Sequence, residues 1–335
     1  MRRTILAGML LAVTAVYCYG KGPVKKIEFI RGEDKIDIMA GDRLLATYMY
    51  DENLSKPFLY PVKSPSGEVV TRWWPLKEVK GESNDHPHHT GIYFTYGNGE
   101  VNGNTFWGNR DVPPRTGDDR FPQIRQVKLG KVKGGKGKGV IKATYHWVDS
   151  VNTPILEEDR MMEFIAGENE YTIDFTIRLS ALDRTVTFED TKEGMFAIRV
   201  ADWMAEGNEK SSIKGTGEYL NAEGDKSEKG IWGKRSPWVR LEGEKDGKTI
   251  GIAIYHHPES VNFPTYWHAR GYGCFAANPI GQYDYQRGTR VKDPQKRSYT
   301  LKPGEEGLFK FRMVIYEGSR SKGEFDKEFE QFSKN

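Results

Sequence analysis

Three stretches of the chain alternate strictly between apolar and polar positions. Ile141, Ala143, Tyr145 and Trp147 interleave with Lys142, Thr144 and His146. Tyr171, Ile173, Phe175, Ile177 and Leu179 interleave with Thr172, Asp174, Thr176 and Arg178, and Phe309, Phe311, Met313 and Ile315 with Lys310, Arg312 and Val314. Successive side chains on a strand point to opposite faces, so this period of two predicts strands with one buried and one wetter face, as in antiparallel sheets. Gly41-Asp42, Ser64-Pro65-Ser66-Gly67, Asp246-Gly247 and Pro303-Gly304 supply turn chemistry between such runs. One helix is predicted near the end, where Ser321 can cap a segment whose Phe325, Phe329 and Phe332 form a single apolar stripe. No repeat of roughly 20 to 50 residues is visible, and no Pro/Ser/Thr linker divides the chain. The pattern therefore predicts an all-β fold, a large antiparallel β-sandwich with a short C-terminal helix, as a single domain over residues 21–335.

The first twenty residues stand outside that pattern. Arg2 and Arg3 precede an apolar run from Ile5 to Val16, and Cys18-Tyr19-Gly20 has the small-x-small form of a cleavage site. Residues 1–20 are thus expected to be a signal peptide and the protein to be periplasmic or secreted. Tyr17 before Cys18 argues against a lipidated cysteine, and the run is too short to span a bilayer comfortably. The leader's two arginines belong to a total of 50 Lys+Arg against 47 Asp+Glu, so the remainder is within one charge of neutral. This balance excludes nucleic acid as the main partner. No later run has transmembrane length. Cys274 is the one thiol left, so the domain must be held by its core rather than by an internal disulfide.

Six of the seven histidines fall in two patches: His86, His88 and His89 in one, His256, His257 and His268 in the other. Histidine titrates near neutrality and is the commonest metal ligand, so such clustering suggests a site. Pro87 delays any regular strand. If one begins at His88, then His88 and His89 point to opposite faces. The run Glu189-Asp190-Thr191-Lys192-Glu193-Gly194 reads first as a charged turn between strands, and alternatively as a source of a general acid or base. Trp73, Trp74, Tyr93, Trp107, Trp232, Trp238, Tyr266 and Trp267 accompany Asn102, Asn104, Asn109, Lys234 and Arg235, a mixture suited to stacking on a sugar ring and binding its hydroxyls. Residues 128–139 (KLGKVKGGKGKG) read as a hairpin tip kept soluble by lysine, with an anion-binding loop as the alternative. They are not a phosphate loop, lacking the following Lys-Ser/Thr and a helix start.

These residues also carry a family resemblance. His86-Pro87-His88-His89-x-Gly with Tyr93-Phe94, Val101-Asn102-Gly103, Phe106-Trp107 and Asp190-Thr191-Lys192-Glu193-Gly194 belong to it. Trp232-Gly233-Lys234-Arg235, Trp238-Val239, Gly251-Ile252-Ala253-Ile254, His257-Pro258 and Pro264-Thr265-x-Trp267-His268-x-Arg270 continue it. Phe275-Ala276-Ala277-Asn278-Pro279-Ile280-Gly281 and Gly304-Glu305 complete it, over roughly residues 40 to 318. The chain resembles a family of exported bacterial proteins that goes by the name methane oxygenase PmoA. It departs from that pattern at Thr90, where arginine is expected. A particulate methane monooxygenase subunit is a multi-helix membrane protein, which this chain does not resemble. The resemblance implies instead a single β-sandwich often encoded beside carbohydrate-degrading genes, and more loosely it is similar to the galactose-mutarotase-like supersandwich.

The leading expectation is an enzyme acting on a glycoside or free sugar by hydrolysis, elimination or epimerisation. His86, His88 or His89, with His257 and His268, would line the pocket; one histidine would act as acid and Glu193 or Lys192 as base. Arg270, Lys234 and Arg235, with Asn102 and Asn278, would bind the substrate, and Trp107 or Trp267 would stack on its ring. The second expectation is a divalent metal held by two or three of His86, His88, His257 and His268. The third is a non-catalytic glycan-binding protein.

Overall fold

The computed structural model describes residues 25–108 and 121–334. The leader assigned to residues 1–20 and the candidate Asn109 lie outside the described residues. Among these, the strands form a ten-stranded sheet, an eight-stranded sheet and a small four-stranded sheet, joined by antiparallel pairings.

The three alternating stretches all lie in the eight-stranded sheet, within Lys138–Val148, Glu170–Ala181 and Glu306–Glu317. Their apolar positions are buried and the facing polar ones are exposed or half-buried, as a period of two requires. The buried face meets the ten-stranded sheet across one core. Phe196 of that sheet stacks on Phe311 at 4.5 Å and meets Phe175 at 4.8 Å, while Phe94 lies 5.6 Å from Phe309. Each such aromatic pair contributes about 0.5–1.5 kcal/mol beyond its area burial.

The ten-stranded sheet behaves differently. Its strands Ile92–Tyr96, Gly194–Arg199, Thr265–Ala269 and Cys274–Asn278 are buried along their whole length. Phe94, Phe196, Ile198, Trp267 and Phe275 face the sandwich core, whereas Tyr93, Ala197, Cys274 and Ala276 join Trp107 in a separate cluster on the outer face. Partly buried Trp73, Leu76 and Tyr272, from the connecting segments, pack against it.

The C-terminal helix Lys322–Phe332 begins at Ser321 in a capping box with Glu324. Phe325 and Phe332 are buried against Trp238, Tyr255 and Tyr316 on the outer side of the eight-stranded sheet, with Phe329 packed beside them. Two further helices, Ser227–Ile231 and Tyr283–Gly288, are too short to print a helical period in the sequence. Among the described residues, no helix is long and apolar enough to cross a membrane.

Candidate functional site

The outer face of the ten-stranded sheet gathers the ionisable groups that have no place in a core. Arg199 closes its strand in the outward phase and is fully buried. Its Nη2 donates to Asp85 Oδ1 at 2.8 Å, and Arg72 Nη1 donates to the same oxygen at 2.5 Å. Ser83 ties this group to Asp202: its hydroxyl donates to Asp202 Oδ1 at 2.8 Å and receives Arg199 Nη2 at 3.2 Å. Burial alone would raise the Asp85 carboxyl, but the bond to His86 and the two guanidiniums hold it well below the usual carboxylate range. Arg72 is pushed down to about 10 by burial and by Arg199, and still carries its charge at neutral pH.

The histidine segment wraps over this network. Residues 86–90 form a turn, with the His89 amide donating to the His86 carbonyl at 3.0 Å, and the strand starts only at Ile92. The three rings consequently gather instead of diverging: His86 lies 5.0 Å from His89 and 5.7 Å from His88, and His88 lies 4.3 Å from His89. Two backbone features set the turn. His86 has a φ of +43°, in the left-handed region that few residues other than glycine, asparagine, aspartate and histidine adopt. Gly91 has a φ of +61°, and a Cβ there would meet the Leu59 carbonyl oxygen at 2.1 Å, so only glycine fits.

The His86 ring lies parallel to those of His89 and Tyr272, at 5.0 and 4.9 Å, and those two are themselves 6.4 Å apart. Its Nδ1 lies 3.2 Å from Asp85 Oδ2 and its side chain is 38% exposed. A histidine oriented by a carboxylate and open on one side can exchange a proton with a bound molecule. The other three are held neutral: burial, then neighbouring cations, pushes His88 and His268 down to about 3. Burial and His88 hold His89 well below its ordinary range. At pH 7 they can orient or accept but cannot serve as imidazolium acids. His89 keeps both ring nitrogens without a hydrogen-bond partner, as do the Trp107 indole and the Thr95 hydroxyl on the same face. Buried polar groups are ordinarily hydrogen-bonded, so these atoms are available to a bound partner.

Tyr272 links this group to an open cleft of about 410 Å³ lined by Trp232, Arg270, Lys234, Glu228, Lys229 and Thr289. The Arg270 guanidinium lies 5.6 Å from the Tyr272 ring and 5.9 Å from Trp232, and is paired to Glu228 at 2.9 Å. The Trp232 indole donates to His268 Nδ1 at 3.3 Å, so His268 positions the ring that walls the cleft. The charge of Glu193 is felt at both Tyr272 and Cys274. Glu193 is paired with Lys192 at the edge of the same face, and the run containing them is a turn. Cys274 is pushed up to about 12 by burial and remains an unreactive thiol.

Of the residues singled out from the sequence, His86, His88, His89, His268, Trp107, Lys192, Glu193, Arg270 and Lys234 are brought to this face or its cleft. The remainder are not. His257 lies at the end of the strand Lys248–His256 of the other sheet, its ring 4.9 Å from Phe332 and its Nδ1 accepting the Glu259 amide. His256 is sealed between Phe311 and Phe263. Trp267 has the inward phase of its strand, is completely buried in the sandwich core and donates to the Ser236 carbonyl, so it cannot stack on a ligand. Asn102 holds a hairpin through Thr185 and Thr187. Arg235 braces the carbonyls of Pro264 and Asn262. Asn278 spends its amide on Thr191, Tyr285, Ile280 and Gly281, fixing the turn that carries Glu193.

Among the described residues, no three His, Cys, Asp or Glu side chains are grouped to hold an ion.

Sequence reasoning missed Arg72, Arg199 and Tyr272. A signal existed for Arg199, the one charge in the otherwise apolar run 195–200, which period two places outward. None existed for Arg72, whose partner Asp85 is thirteen positions away across a loop.

The chain is thus an antiparallel β-sandwich whose ten-stranded sheet carries a covered, histidine- and arginine-rich outer face. It belongs to the family of unknown function DUF6807, whose model matches residues 35–330. No curated protein matches it. Among solved structures it is similar to a β-arabinopyranosidase, with 11% identity over 82% of this chain and a TM-score of 0.39; it spans 38% of that protein. It is also similar to a galactose mutarotase related enzyme from Lactobacillus acidophilus, with 10% identity over 87% of this chain and 97% of that one, at a TM-score of 0.29. A glycoside hydrolase family 97 enzyme from Pseudoalteromonas sp. strain K8 shares 9% identity over 89% of this chain and 35% of its own length, with a TM-score of 0.31.

Proposed function

We propose that the protein is an exported carbohydrate-active enzyme that binds a glycoside or free sugar in the cleft beside Tyr272 and moves a proton through His86. The observation that carries this reading is the parallel pair of His86 and Tyr272, with Arg270 over the Tyr272 ring and also in the wall of the cleft beside Trp232. An aromatic wall with cationic and hydroxyl-binding groups around it suits a sugar ring. Asp85 supports His86 as an orienting carboxylate. Because both guanidiniums saturate it, Asp85 itself is not free to act as nucleophile or acid. Glu193 is the second proton-transfer group on this face, with Lys192 beside it. One histidine and one carboxylate favour epimerisation or elimination over hydrolysis by paired free carboxylates.

The test is a panel of glycosides, keto-sugars and reducing sugars, with conversion followed by NMR. His86→Ala should lower kcat roughly 100- to 10,000-fold while leaving the unfolding midpoint in place. Full activity in that variant would end the assignment. Binding without conversion in the unaltered protein would point to a glycan-binding role instead.

A further inference from the structure

The outer face of the eight-stranded sheet carries a groove of about 500 Å³, in a different sheet from the strands that carry the His86 site. Its floor is a row of register partners that crosses four strands: Arg178 faces Asp159, Asp159 faces Thr144, and Thr144 faces Lys128. Three strand spacings separate the ends of that row, about 14 Å. Lys142 and Lys131 line the groove beside it. The groove owes its shape to the edge strand Gln123–Lys133. Its register against Lys138–Val148 slips twice, from Ile141/Val132 to Ala143/Leu129 and from Thr144/Lys128 to Tyr145/Gln126. Each slip places one extra residue on the edge strand, and such bulges bend and twist it.

The charges in the groove are not consumed by the fold. Lys128, Lys131 and Lys142 are exposed and have no described residue as an ion-pair partner, and Arg178 meets Glu306 only at 3.7 Å with both side chains half exposed. Lysines on an edge strand also discourage edge-to-edge pairing. That explanation covers Lys128 and Lys131 alone, because Lys142 and Arg178 belong to interior strands.

We propose that this groove is a second binding site, for a linear acidic polysaccharide. Lys128, Lys131, Lys142 and Arg178 engage its sulfate or carboxylate groups, while Thr144 and Asp159 take the hydroxyls between them. Asp159 accepts the Thr144 hydroxyl at 2.7 Å and can accept a sugar hydroxyl in the same way. No aromatic ring lines the groove, so it lacks the stacking platform that single-stranded nucleic acids use. The site is independent of the His86 cleft and of what that cleft does.

The experiment is fluorescence anisotropy of end-labelled dextran sulfate titrated with the full chain, alongside neutral dextran. The expected result is binding that weakens with salt, no response to neutral dextran, and undiminished binding in His86→Ala. Lys128→Gln/Lys131→Gln/Lys142→Gln should weaken binding roughly 100-fold, with the unfolding midpoint unchanged. If that triple variant does not fold, Lys142→Glu alone serves as the measurement and should still weaken binding. Unchanged binding in the folded variants overturns the proposal, as does tighter binding to oligothymidylate or to phosphatidylserine vesicles than to dextran sulfate.

Discussion

The two large sheets share a core but use their outer faces in opposite ways. The eight-stranded sheet leaves much of its outer face to water, where Lys142, Thr144 and Arg178 stand in the polar phase. The ten-stranded sheet covers its central strands with loops, so that Arg199, His89 and His268 are buried there. On a wet face a charge is nearly free of consequence for stability, since water solvates it. On a covered face each charge must be met by a partner, and the partners Asp85, Ser83 and Asp202 come from distant parts of the chain. The covered face is therefore where side chains can be oriented and protonation states shifted, which is what a reactive site needs.

The largest effect that would test this contrast comes from Asp85→Ala. It strands two buried guanidiniums, and chemical unfolding should show a loss of about 3–5 kcal/mol, together with loss of turnover. A loss under 1 kcal/mol would mean that the covered face is wetter than described.

Next comes acid. His88, His256 and His268 fall from an ordinary 6.5 to about 3 in the folded protein. The unfolded chain therefore binds their protons first, and the stability they contribute is whole above pH 6.5 and lost as pH falls toward 3. Asp85 is held below the usual carboxylate range, so its share begins to fall only at the acidic end of this window and is lost below it. Unfolding free energy measured across pH 7 to 3 should decline throughout, and His268→Gln should flatten the slope. A flat profile would overturn the assignment of these histidines as buried and neutral.

A smaller effect is expected at the helix on the open sheet. Ser321→Ala removes the cap and should cost about 1 kcal/mol in thermal unfolding, with activity untouched. Smallest of all, Lys142→Gln should stay within about 0.5 kcal/mol of the parent, and His257→Gln should leave turnover intact, because it lies away from the cleft. Lost turnover in His257→Gln would reunite the two histidine patches and refute the division drawn between the sheets.

Legibility followed the same division. Ile141 to Trp147, Tyr171 to Leu179 and Phe309 to Ile315 were readable because one wet face leaves an alternating trace. The strand Gly194–Arg199 leaves almost none, since both of its faces are buried and both are apolar but for Arg199. His86, His88 and His89 stood out by type and proximity, yet their orientation did not. A strand read from His88 sends adjacent rings apart, whereas the turn through Pro87 and Gly91 draws them together.

The amino-acid sequence by itself determined the all-β class, the C-terminal helix with its Ser321 cap, and the segment in which the histidines cluster. These depend on local periodicity and on side-chain chemistry within a few residues. The tertiary structure decided that His268 joins His86 while His257 does not, and that Trp232 rather than Trp267 walls the cleft. It also decided that Arg72 and Arg199 close on Asp85. Each of those outcomes depends on strand phase and sheet order, and a shift of one residue in register exchanges the two faces of a strand.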